Sequence, residues 1–211
     1  VLQDISKRYG SLQALRDVTV DIRSGTVHAL VGENGAGKST LMKILAGVEQ
    51  ADSGQVVVDD REVHYRTPHA ALADGVTIIA QELSLEPQRT VLENVFLGVE
   101  STRRGMLDRR AMRRRFEELA GRVDLRVSPD ARVGRLRTAE QQKVEILRAL
   151  ARQARLVIMD EPTAALTTHE ADRLLEIVRD LRAGGTVVLA GFIGKVESAA
   201  VSEGVKIPGV G

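Results

Sequence analysis

Gly32-Glu33-Asn34-Gly35-Ala36-Gly37-Lys38-Ser39-Thr40 fits the pattern G-x-x-x-x-G-K-[ST] and is preceded by the apolar run Val27–Val31. Gly32, Gly35 and Gly37 let the backbone bend until its amides face one point. Glu33, Asn34 and Ala36 contribute the intervening amides. A helix starting at Lys38 adds unsatisfied N–H groups and the positive end of its dipole. A turn of this kind cradles phosphate. Lys38 brings a full positive charge to the β and γ phosphates of ATP, Ser39 offers a hydroxyl to Mg²⁺, and Thr40 adds a further hydroxyl.

Outward from this loop the chain reads as an α/β domain. Strands are predicted at Val18–Ile22, Thr26–Val31, Gln55–Val58, Val76–Ile79, Leu156–Met159 and Thr186–Leu189. Several are continuously apolar, as in a parallel sheet covered on both faces. Helices are predicted at Lys38–Ala46, Pro68–Ala73, Arg109–Val123, Ala139–Arg152 and His169–Arg182, with Pro68 suited to a first turn. Residues from about 82 to 150 are helix-rich and lie between strand-rich stretches, which predicts a helical subdomain inserted into an α/β nucleotide-binding core.

Composition sets limits. The 211 residues suit one domain, and the net charge of +1 gives no general reason to expect nucleic acid. Seven arginines crowd into 103–115; they read as a solvated helix face or as an electropositive surface for anionic lipid headgroups or a partner subunit. There is no cysteine, which excludes disulfides and thiolate metal sites. No apolar run approaches the roughly 18 residues of a membrane span, so any membrane role is expected to be peripheral. The chain opens on Val1 with neither a basic start nor an apolar leader, and the missing initiator Met points to a trimmed start.

Leu156-Val157-Ile158-Met159 runs into Asp160-Glu161 about 120 residues beyond the phosphate loop. Acids at the carboxyl end of a buried strand sit where doubly wound sheets place ligands. Asp160 can serve the Mg²⁺ shell, and Glu161 can polarise an attacking water as general base.

With these motifs in place, residues from about Asp4 to Leu189 resemble the ATP-binding subunits of ABC transporters. The resemblance implies a P-loop NTPase core of ABC type. Ile5-Ser6-Lys7-Arg8-Tyr9-Gly10 is similar to the stretch bearing the family's adenine-stacking aromatic, here Tyr9. Gln81, in Ile78-Ile79-Ala80-Gln81-Glu82, resembles the glutamine that touches the metal and the transmembrane partner. Leu83–Gln88, Val91–Gly98 and Glu161–Thr167 narrow the likeness to the first half of ribose/galactoside-type importers of simple sugars. The implied partners are transmembrane permease subunits, a second ATP-binding half or a homodimer partner, and, indirectly, a periplasmic or extracellular solute-binding protein. The implied location is the cytoplasmic face of the membrane.

The sequence departs from the family twice. Its signature, L-S-x-G-[DEQ]-Q, aligns with Leu136-Arg137-Thr138-Ala139-Glu140-Gln141, so Arg137 replaces Ser and Ala139 replaces Gly. The family docks this signature on the partner's γ-phosphate, and both replacements are expected to obstruct that surface. From about residue 190 the tail diverges or is truncated, and Phe192 stands near the family's γ-phosphate histidine. An alternative function follows: an ATP-binding, hydrolysis-impaired domain of regulatory or decayed type.

Overall fold

The computed structural model describes residues 1–23, 25–33, 35–79, 84–103, 105–162, 168–193 and 203–206, with backbone alone at 168–170, 173, 192–193 and 203–206. In chain order the elements begin with strands β1 (Leu2–Tyr9), β2 (Leu12–Val20) and β3 (Val27–Gly32), followed by helix α1 (Lys38–Leu45). Next come β4 (Ser53–Val58), β5 (Arg61–Val63), α2 (Pro68–Ala73), β6 (Val76–Ile79) and α3 (Val91–Phe96). The short strands β7 (Thr102–Arg103) and β8 (Met106–Leu107) lead into α4 (Arg109–Arg122) and α5 (Thr138–Ala151). The chain then forms β9 (Leu156–Met159), α6 (Thr168–Ala183), β10 (Val187–Ile193) and β11 (Glu203–Lys206).

A parallel sheet in the order β11-β3-β10-β9-β6 forms the centre. Its inner strands β3, β10 and β9 are largely buried, which explains their mostly apolar sequences. Val157, Met159, Val188 and Ala190 point into one core, shared with α3, α4, α5 and α6. Leu30, Ile158 and Leu189 point into the other, shared with β1, β2, β4, α1 and α2. β1, β2 and β4 belong to an antiparallel sheet of order β2-β1-β4-β5. Strand β10 lies between the strand leading to the phosphate loop and the strand leading to Asp160; Ala190 is opposite both Ala29 and Met159.

The predicted helices appear within one residue of their expected bounds. Local chemistry accounts for their starts. Thr67 accepts from Ala70 N ahead of Pro68, and Asp108 accepts from Ala111 N at the head of α4. Strands β1, β5, β7, β8 and β11 and helix α3 were not anticipated, and β2 spans Leu12–Val20 where Val18–Ile22 was expected. Strand β1 breaks strict alternation with irregular register against β2, and Asp4 takes a φ of 51° there. Helix α3 has only six residues, fixed by a reciprocal capping box between Thr90 and Glu93. Strand β10 also runs past the predicted end at Leu189 to Ile193, because pairing with β3 continues as far as Gly32.

Helix α5 is tied to the segment before α3 by a buried ion pair. Glu145 accepts from the backbone N–H (2.9 Å) and the hydroxyl (3.2 Å) of Ser84, while Arg148 donates to Ser84 O (3.1 Å) and to Glu145 (2.6 Å). Removing one partner of such a buried pair costs about 3–5 kcal/mol, since the other is left charged and unmatched.

Candidate nucleotide site

The phosphate loop leaves β3 at Gly32 and enters α1 at Lys38. Gly37 is the N-cap of α1 with a φ of 83°. A Cβ at Gly37 would fall 2.4 Å from Ala14 O and 2.6 Å from Leu15 Cδ2 on β2, so both backbone angle and space require glycine. Gly35 also has a φ of 83° and demands glycine for its angle alone. Within the turn, Ala36 N donates to Glu33 O at 3.1 Å. No side chain caps α1 and its own first turn holds no acidic residue; a carboxylate reaches this turn from Asp160, through Ser39.

Lys38 is buried, and its Nζ donates to Gly32 O (2.7 Å) and Glu33 O (2.9 Å). The ammonium is thereby held across the mouth of the loop. Ser39 Oγ donates to Asp160 Oδ1 at 3.0 Å, although 121 positions separate the two residues. Asp160 is buried where β9 ends, and its backbone N–H donates to Ile79 O on β6. Glu161 follows in the left-handed region, with a φ of 47°. A strained backbone angle at an acid beside a cleft is the kind of outlier found at working sites.

These residues surround a cleft of about 410 Å³ lined by Tyr9, β2 residues Leu12–Ala14, loop residues Gly35–Thr40 and Glu161. The expected Tyr9, Gly35, Ala36, Gly37, Lys38, Ser39, Thr40 and Glu161 therefore share one cavity. Gly32, Glu33 and Asp160 stand behind it through the bonds just described. Tyr9 is 41% exposed, and Lys7 Nζ sits 5.4 Å from its ring centroid. Asn34 and Gln81 lie outside the described residues, as do residues 163–167.

Two contributions escaped the sequence reading. Residues Leu12–Ala14 form a wall of the cleft. Gly191 lets β10 pass close to α1: a Cβ there would lie 2.6 Å from Met42 Cε and 3.5 Å from Asp160 Oδ1. Phe192 follows on β10, paired with Val31; its side chain lies outside the description.

The residues fit a magnesium nucleotide. A hydroxyl and a carboxylate oxygen 3.0 Å apart are the hard donors this cation takes. The uncapped helix end and buried ammonium match an anionic polyphosphate.

The altered signature lies at the head of α5. Arg137 is the N-cap; its backbone N–H (3.0 Å) and guanidinium (2.9 Å) both donate to the carboxylate of Glu140. These bonds hold the Glu140 carboxyl below the usual carboxylate range, the guanidinium contributing most. The Arg137 side chain is 85% exposed. Further along the helix, Gln141 Nε2 donates to Val133 O and Leu136 O, and Gln142 Nε2 donates to Pro162 O, next to Glu161.

The chain is 50% identical over 193 residues to the ribose import ATP-binding protein RbsA of Chromobacterium violaceum, covering 89% of this chain and 38% of that protein. It is 46% identical over 185 residues to RbsA of Hahella chejuensis, covering 87% and 37%. The chain thus spans under two fifths of the length of these curated relatives. Among solved structures it is similar to the ADP conformation of MJ1267, an ATP-binding cassette of an ABC transporter, with a TM-score of 0.81 and 26% identity over 92% of this chain and 81% of that one. It is also similar to MJ0796, a dimeric ATP-binding cassette in a post-hydrolysis state bound to ADP and Pi, with a TM-score of 0.77 and 26% identity over 90% and 86%. Residues 15–164 match the ABC transporter family. That span runs from within β2, through the phosphate loop and the α5 signature, to Asp160 and Glu161, and the chain belongs to the ABC transporter family.

Proposed function

We propose that this chain binds ATP with Mg²⁺ in the Lys38 loop and hydrolyses it as the ATP-binding part of an importer of a simple sugar. The observation that carries the reading is the meeting of Ser39 with Asp160 beside the buried Lys38 ammonium. Lys38 exchanges the carbonyls of Gly32 and Glu33 for β and γ phosphate oxygens. The backbone N–H groups from Gly32 to Thr40 cradle the phosphates, and Tyr9 stacks on the base. Ser39, Asp160 and, by resemblance, Gln81 hold Mg²⁺, which supplies charge neutralisation at the phosphates when bound. Glu161 orients the attacking water and accepts its proton.

The sugar class follows from the relatives named above, and the partners from the same likeness: permease subunits, a second ATP-binding half or homodimer partner, and a solute-binding protein. Such a complex puts this domain at the cytoplasmic face of a membrane. No helix among the described residues is long and apolar enough to cross one.

A second reading is favoured at Phe192. Backbone pairing carries this residue level with Val31, one step before Gly32, where the family has a histidine donor. A chain lacking that donor binds ATP and turns over slowly. Phosphate release with a partner half present separates the two readings. Hydrolysis abolished by Glu161→Gln with ATP binding retained supports the first; binding with negligible release in the unmodified chain supports the second.

A further inference from the structure

A second cleft, of about 570 Å³, opens at the end of the parallel sheet where β9 and β10 begin, opposite the phosphate loop. Arg114, Arg115, Arg122 and Arg155 line it against a single acid, Glu118. The chain as a whole is nearly neutral, with 30 basic and 29 acidic residues, so four guanidiniums to one carboxylate is a local choice.

Two of the four have partners within the fold. Arg155 pairs with Asp59 at 2.7 Å, and Arg115 donates to Ala151 O at the end of α5. Arg114 and Arg122 line it from α4 with no ion-pair partner among the described residues, whereas the neighbouring Arg109 and Arg113 pair with Glu93 and Asp130. Gly184 has no positive φ to require glycine, but a Cβ there would lie 3.1 Å from Arg122 Nη2. A Cβ there would ask the Arg122 guanidinium to give by a few tenths of an ångström. Cations gathered along one cleft raise a local positive potential, and guanidinium forks suit phosphate oxygens.

We propose that this cleft is a second anion site, taking a phosphate-bearing group of at least two negative charges and independent of the ATP site. Both a free phosphorylated small molecule and a phospholipid headgroup carry that chemistry. The inference does not rest on the transport reading.

The test uses the full chain with Lys38→Ala, which silences the phosphate loop, titrated calorimetrically with inorganic pyrophosphate at low and physiological salt. Binding is expected to persist in that background and to weaken at least tenfold when Arg114→Ala and Arg122→Ala are added. The charge-matched pair Arg109→Ala with Arg113→Ala is expected to change affinity less than twofold. Cosedimentation with vesicles of phosphatidylcholine alone, or with phosphatidate added, distinguishes the sources. Pyrophosphate binding without vesicle binding assigns a free anion, and phosphatidate-dependent sedimentation lost with Arg114 and Arg122 assigns a headgroup. Absence of both, or an equal loss in the charge-matched pair, overturns the site. Failure of ATP to bind the unmodified chain would instead overturn the nucleotide reading and leave this one standing.

Discussion

Helices α1 and α5 both begin with amides that the helix itself cannot satisfy, yet the chain treats the two ends in opposite ways. At α1 the N-cap is Gly37, with no capping side chain and no acid in the first turn. At α5 the chain brings its own anion: Glu140 takes the Arg137 amide and guanidinium. A helix N-terminus becomes a phosphate site when the sequence withholds a cap and supplies a cation, as Lys38 does. The same terminus carrying an internal carboxylate has part of that potential already answered. The α1 end thus keeps the features of a phosphate site, whereas the α5 end differs from the family's signature at Arg137 and Ala139.

The largest effect is expected at Phe192, whose backbone pairs with Val31 on the strand leading to the phosphate loop. Phe192→His should raise phosphate release by about 10²–10³-fold in the presence of a partner half, the usual size of one preorganised donor. Brisk release by the unmodified chain would break the contrast, since the α1 end would then be complete without that donor.

A smaller change is expected at the α5 end. Arg137→Ser with Ala139→Gly, in a Glu161→Gln background that preserves bound ATP, should favour an ATP-dependent dimer in sedimentation. An unchanged monomer would argue that the signature is not what limits association.

The smallest effect concerns the α5 cap itself. Glu140→Gln should lower unfolding stability at neutral pH by about 1 kcal/mol or less, as for a partly exposed cap. The Glu140 carboxyl is held below its ordinary value in the folded chain. Its contribution is therefore full above the ordinary carboxylate range and is lost as pH falls through the lowered value. Thermal melts of the two forms should converge in acid; a gap that persists there would assign the effect to something other than this charge.

Much of this contrast was legible in the sequence. The loop pattern named Lys38 and Ser39, and Asp160 was visible at the end of an apolar strand. Strands β6 and β9 matched their predicted bounds; both are short, mainly apolar runs. What the sequence hid is non-local. The Leu12–Ala14 wall comes from a strand whose role depends on where β2 crosses Gly37. The length of β10 is set by pairing with β3, and Gly191 is explained only by Met42 and Asp160 across the fold. Strand β1 hid behind its bulges, while the Thr90–Glu93 box that marks α3 was present and went unread.

The central claim is that the α1 end holds ATP through Lys38 while the α5 end of the same chain does not. Calorimetric titration of Mg-ATP into the unmodified chain, Lys38→Ala and Arg137→Ala tests it directly. At the Lys38 site, Lys38→Ala should weaken binding at least tenfold, equivalent to about 1.4 kcal/mol, and Arg137→Ala should change it less than twofold. Equal affinity in the unmodified chain and Lys38→Ala would contradict it.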